Sequence, residues 1–327
     1  MNKLKVFTAS LLFASISAYA SNMSAIMYSA NDPFIKNYAQ ELEKLAKEDH
    51  TDLKVSYSQS DIKVENLNLQ KAFSAKSSAL IVNLVEPNRA LQVANLVYKN
   101  SKTPLIYINR KPSEQALKVF DKSYFVGTDA SQAGRFQAEM LTEYCLNHEA
   151  DRNHDGKINY ILLEGEALLD DTIMRSMSLR SSIADSPISF EETLAITADW
   201  KADKATYELT QYIDQNGMDK IEAIVANNDA MALGALKALQ ALGYNQGDNN
   251  KYIPIIGVDG TAEALKAIAD GQLTGTVQND YKTQAAVAYK LAKLASENQK
   301  IDSKAIGYFI DDNNCIYIPY LKINQSK

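Results

Sequence analysis

The chain has 327 residues, 46% of them hydrophobic and 23% charged, with a formal net charge of −6. An acidic balance argues against nucleic acid or anionic membrane as the main partner, and two cysteines are too few for a disulfide scaffold or a zinc site. The length is large for one hydrophobic core and comfortable for two lobes.

Taken in order, the first segment reads as a processing signal. Lys3 and Lys5 make a positive start, residues 6–16 are mostly apolar, and Ala18-Tyr19-Ala20 is a small-x-small cleavage pattern. Residues 1–20 are therefore expected to be a signal peptide. The apolar run is too short and interrupted to span a membrane, and no cysteine near the cut offers a lipid attachment point. A mature chain of about 307 residues would begin at Ser21, and loss of the two lysines takes its charge to −8.

From there short apolar runs alternate with amphipathic ones. Strands are expected at 24–29, 53–57, 79–84, 104–108, 124–126 and 158–163, somewhere within 188–198, and at 221–226, 253–258, 272–277 and 316–318. Helices are expected over 33–47, 62–76, 87–99, 131–147, from about Asp171, and over 202–215, 261–270 and 281–296. A further helix follows the strand at 221–226, where Ala230, Met231, Leu233, Leu236 and Leu239 recur at helical spacing. The pattern is that of repeated βαβ units and parallel sheets, an α/β class. The polar run 243–251 reads as a surface insertion. Cys145 and Cys315 are compatible with one disulfide or with two buried thiols.

Polar chemistry gathers where strands end and helices begin, the edge at which open α/β sheets bind ligands. Asp32 and Phe34 follow the first strand, and Asn109 follows the fourth. Asp171 and Arg175 come after the strand at 158–163, and Trp200 after the next. Asn228, Asp259 and Asn279 close three more. Any one of these is an ordinary helix cap or turn residue. Together they form a set of amides, carboxylates, one guanidinium and two aromatic rings. That set suits a sugar: its hydroxyls both donate and accept, and the C–H faces of the ring need flat apolar partners such as Phe34 and Trp200.

A second constellation is Asp151-Arg-Asn153-His-Asp155-Gly156-Lys157-Ile158-Asn159. Oxygens at loop positions 1, 3, 5 and 9, glycine at 6 and an apolar residue at 8 match a calcium loop. Leu162 stands where the closing carboxylate belongs, so a distant residue must complete the site. An Asx-rich turn without metal is the plainer alternative.

These motifs resemble the periplasmic glucose/galactose-binding proteins, members of the type I periplasmic sugar-binding group and substrate-binding components of ABC transporters. The markers are NDPF at 31–34, INRKP at 108–112, YFVGTD at 124–129 and DRNHDGKIN at 151–159, with IEAIVANNDAMALGA at 221–235, GVDGTAEAL at 257–265 and GTVQND at 275–280. The resemblance covers essentially the whole mature chain. It implies two doubly wound α/β lobes, 21–127 plus 281–317 and 128–280 plus 318–327, joined by crossings near 127–129, 279–281 and 318–320. It implies sugar contacts from Asp32, Asn109, Asp171, Arg175, Asn228, Asp259 and Asn279, with Phe34 and Trp200 stacking on the ring. It also implies a structural calcium ion held by Asp151, Asn153, Asp155, the Lys157 carbonyl, Asn159 and Glu222. The chain should then be a monomeric periplasmic carrier of galactose or glucose, feeding an ABC importer and, on the resemblance alone, a chemoreceptor.

One departure stands out: where the family carries Gly-His-Pro-Asp, this chain has Leu168-Leu169-Asp170-Asp171, which puts Leu169 in place of a sugar-bonding histidine. A pentose or deoxyhexose is the alternative ligand that follows. A carbohydrate-active enzyme using paired carboxylates such as Asp32 and Asp259 is a rival from another class. Against it, His50, His148 and His154 all lie away from the strand ends, and no G-x-S-x-G or H-E-x-x-H motif is present. A repressor on the same core would need a basic helix-turn-helix where the signal segment lies.

Overall fold

A computed structural model describes residues 22–325, so the expected signal peptide lies outside the described residues. The first half runs β1 (Asn22–Met27), α1 (Pro33–Glu48), β2 (Asp52–Tyr57), α2 (Ile62–Ser74), β3 (Ala79–Val82), α3 (Ala90–Asn100), β4 (Leu105–Ile108), α4 (Glu114–Leu117) and β5 (Ser123–Gly127). Next come α5 (Ala130–Asn147), β6 (Ile158–Glu164), α6 (Asp170–Ala184), β7 (Phe190–Thr197), α7 (Ala202–Asn216) and β8 (Ala223–Ala226). The chain continues through α8 (Asp229–Gln240), β9 (Ile255–Asp259), α9 (Ala262–Ala269), β10 (Gly275–Gln278), α10 (Tyr281–Ser296), α11 (Ser303–Ile306), β11 (Cys315–Tyr317) and β12 (Leu321–Asn324).

The strands form two six-stranded sheets, ordered β11-β5-β4-β3-β1-β2 and β12-β10-β9-β8-β6-β7. Helices cover both faces of each, so central strands such as β3, β4 and β8 are buried along their whole length. That is why they read as unbroken apolar runs rather than alternating ones. Each sheet separates two apolar layers: one sheet packs Ile81, Ile106 and Ile316 on one face and Val82, Tyr107 and Phe125 on the other. The second does the same with Ile161, Ile224 and Ile255 against Leu162, Val225 and Ile256. Two α/β lobes result, as the resemblance implies. Among the described residues no helix is long and apolar enough to cross a membrane.

The chain passes between the sheets three times: after β5, where α5 packs on the second sheet, after β10, where α10 returns to the first, and between β11 and β12. The strand β12 is absent from the sequence reading. It is the one antiparallel strand, pairing with β10 from Gly275–Asn324 to Gln278–Leu321, and as a mostly exposed edge it lacks an apolar signature. The run 243–251 is largely exposed, as expected of a surface segment, but it is pinned at one residue. Asn245 is fully buried, its amide bonding the Ile253 and Gln272 carbonyls and its Oδ1 accepting from Ile253 N at 2.9 Å. This one buried amide anchors an otherwise largely exposed segment to the second lobe. Both cysteines are free thiols, Cys315 buried and Cys145 partly so, with burial raising their pKa to about 11 and about 12.

Candidate functional site

The strand ends of both sheets face one cavity between the lobes. All nine residues singled out as sugar contacts line it: Asp32, Phe34 and Asn109 from the first lobe, Asp171, Arg175, Trp200, Asn228 and Asp259 from the second, and Asn279 from a crossing. Leu169 is in the wall as well. Tyr28, Pro87, Arg110, Lys111 and Asp170 also line it, although the sequence reading passed over them. Tyr28 ends an apolar strand and resembles core. Arg110 and Lys111 lay inside the quoted INRKP motif, whose asparagine alone had been chosen.

Several of these side chains cap a helix and face the cavity at once. Asp32 Oδ1 accepts from Phe34 N at 2.8 Å and Ile35 N at 3.3 Å, capping α1, while Oδ2 accepts from the Tyr28 hydroxyl at 2.7 Å. Asn228 caps α8 by accepting from Met231 N at 2.9 Å, and its amide reaches the Trp200 carbonyl at 3.4 Å. Capping a helix and lining the cavity thus fall to the same side chains. Asn109 Oδ1 accepts from Asn83 Nδ2 at 3.1 Å.

Three lining residues have a left-handed backbone: Asn109 at φ 59°, Trp200 at φ 64° and Asp259 at φ 129°. For tryptophan and aspartate this is costly, on the order of 1–3 kcal/mol each, and such strain gathers at functional sites. The Trp200 ring lies against Gly165, where an added Cβ would stand 2.1 Å from the indole.

The charges nearly balance. Asp32, Asp170, Asp171 and Asp259 meet Arg110, Lys111 and Arg175. Burial raises the Asp171 pKa, against the pull of Arg175 and Arg110. It raises Asp259 well above the carboxylate range, where Arg175 lowers it and the charges of Asp229 and Asp32 raise it further. Burial opposes the charge on Arg175, but Tyr320, Asp171 and Asp259 outweigh it and raise its pKa. Arg175 donates to the Asn227 carbonyl at 2.6 Å and to the Tyr320 hydroxyl at 3.0 Å, and its Nε has no protein partner. Asn279 donates to Asp259 Oδ1 at 3.4 Å and accepts from Gln284 at 2.6 Å. Within its own lobe Arg110 stacks over the Tyr28 ring at 3.7 Å and bonds the Val85 carbonyl, and across the cleft it forms a 3.1 Å ion pair with Glu166. A cavity rich in donors and acceptors, with aromatic walls and little net charge, suits a neutral polyhydroxylated molecule.

Away from the cleft, the loop after α5 brings together Asp151, Asn153, Asp155, Lys157 and Asn159. Asp151 accepts from Asp155 N at 3.1 Å and Gly156 N at 2.9 Å, and Gly156 takes φ +83°. Glu222, from the segment before β8, reaches this loop and is 2% exposed. Its Oε1 accepts from Arg152 N at 2.6 Å and Asn153 N at 3.0 Å, and its Oε2 from Asn159 N at 2.8 Å and Asn159 Nδ2 at 3.1 Å. The Lys157 amine turns outward to Glu191 at 2.6 Å. The donor set is all oxygen, as calcium requires. Glu222 is satisfied by N–H donors, however, and among the described residues no three acidic, histidine or cysteine side chains gather where they could hold a metal ion.

The periplasmic binding protein domain pattern matches residues 24–300. The chain is 30% identical, over 98% of its length and 94% of the relative's, to the D-galactose/methyl-galactoside binding periplasmic protein MglB of Haemophilus influenzae. Among solved structures, an ABC transporter solute binding protein from Bacillus halodurans with bound myo-inositol superposes with a TM-score of 0.76 at 25% identity, covering 94% of this chain and 95% of that one. One from Actinobacillus succinogenes with bound D-allose gives 0.78 at 21% identity, covering 93% and 97%.

Proposed function

We propose that this chain, which belongs to the periplasmic binding protein domain family, is the sugar-binding component of an ABC transporter and a non-enzymatic carrier of one neutral monosaccharide. The observation that carries this reading is the convergence of nine strand-end residues from both lobes on one cavity. A buried hydroxyl left without its partner costs roughly 1–3 kcal/mol, so such a wall selects among epimers.

D-galactose or D-glucose is the first choice of ligand: the 30% identical D-galactose/methyl-galactoside binding relative supports galactose, and glucose rests on the motif resemblance. A pentose or deoxyhexose is the second. It is favoured by Leu169, an apolar side chain in a polar wall that can neither donate nor accept a hydrogen bond. The ligand would enter the open cleft in the periplasm, touch both lobes and so favour the closed form. That form would be read by the membrane subunits of the importer, and by a chemoreceptor as a further partner that links transport to chemotaxis. A structural calcium ion, held by Asp151, Asn153, Asp155, the Lys157 carbonyl, Asn159 and Glu222, belongs to the same proposal. When bound it would supply charge neutralisation and tie the loop to the strand region beneath it.

The test is calorimetric titration of the mature protein and of Asp259→Ala with D-galactose and D-glucose. The parent should bind saturably, and the variant should lose measurable binding while keeping its circular dichroism spectrum. Equal affinity in the two proteins would contradict the site.

A further inference from the structure

Tyr320 connects the cavity wall to the segments that join the lobes. It lies in the third crossing, between β11 of one sheet and β12 of the other, and is 2% exposed. Its hydroxyl accepts from Arg175 Nη2 at 3.0 Å and from Thr128 Oγ1 at 2.8 Å, and Thr128 is part of the first crossing. Its own N–H donates to Gln132 Oε1 on α5 at 2.9 Å. The two crossings are further joined by Ile318 N to the Gly127 carbonyl at 2.8 Å. One phenol oxygen therefore holds a cavity-lining guanidinium and two of the three connections that must twist when lobes move.

We propose that Tyr320 is a positioning residue that couples ligand contact at Arg175 to the inter-lobe hinge. The argument rests on the carrier reading only in taking Arg175 as a ligand contact. With one arm of Arg175 bonded to the Asn227 carbonyl and the other to Tyr320, rotation of the first and third crossings alters where its unpartnered Nε points. A ligand that engages this guanidinium thereby favours one hinge setting. Phenylalanine keeps the shape of Tyr320 and removes only the oxygen.

The experiment compares the mature protein with Tyr320→Phe, Thr128→Val and the double variant, titrated with D-galactose, D-glucose and a pentose and deoxyhexose panel. Tyr320→Phe should weaken binding about tenfold, the loss of one hydrogen bond to a charged group. Thr128→Val should weaken it less, and the double variant should be no worse than Tyr320→Phe, because both act through the same oxygen. Small-angle scattering of the ligand-free proteins supplies an arm independent of the sugar: Tyr320→Phe should show a larger radius of gyration. Unchanged affinity in Tyr320→Phe, with only a lower melting temperature, would overturn the coupling and leave a packing role. Strictly additive losses would overturn it too. If no sugar binds the parent protein, the carrier reading falls and scattering alone decides, equal radii overturning the coupling.

Discussion

Trp200 sits where few tryptophans do, in a left-handed backbone conformation with its ring laid on the bare backbone of Gly165. The Arg175 guanidinium lies 5.7 Å from the centre of the ring. Gly165→Ala should therefore displace the indole from the cavity wall. Sugar affinity is expected to fall tenfold or more, on the order of 1.4 kcal/mol or above, with circular dichroism unchanged. A variant that binds as tightly as its parent would show that the ring does not depend on this seat. The polar residues of the cavity were legible because each sits at the junction of an apolar run and a helical repeat. Tyr28 and Arg110 were not: one ends a buried strand like any core tyrosine, and the other owes its role to stacking and a cross-cleft carboxylate that no local pattern encodes.

The strand-to-helix junctions recur as one device, a side chain that caps the helix while lining the cleft, as Asp32 and Asn228 do. Most elements were readable from period alone, since buried parallel strands and amphipathic helices carry opposite patterns. The edge strand β12 was not, because an exposed four-residue strand has little apolar content. The loop from Asp151 to Asn159 shows the same limit from another side. Its residue pattern matches a calcium loop, yet its side-chain oxygens are satisfied by N–H groups of the loop itself, and Glu222 by four of them. If the proposed ion binds there, removing it with a chelator should lower the melting temperature by ~5 °C, and calcium should restore it. No shift, with no metal in the purified protein, would leave a hydrogen-bonded turn in its place.

Across the molecule, the two lobes meet through the three crossings, through the Arg110–Glu166 pair beside the cavity and through whatever the cavity holds. A partly exposed ion pair contributes little, about 1 kcal/mol or less, so under the proposed function the ligand supplies most of the preference for the closed form. The two-lobed architecture was legible in the alternation of strands and helices and in the order of the motifs. The identity of the ligand was not, because under the proposed function it depends on what would meet Leu169 and on atoms set by the angle between lobes.

The most direct test is a fluorescence titration of Trp200, the single tryptophan of the chain, with a panel of monosaccharides. A saturable change with D-galactose or D-glucose, or with a pentose or deoxyhexose alone, is the expected result, the second outcome marking Leu169 as the selecting residue. Silence across the panel, matched by silence in calorimetry, would contradict a sugar carrier built around this cleft.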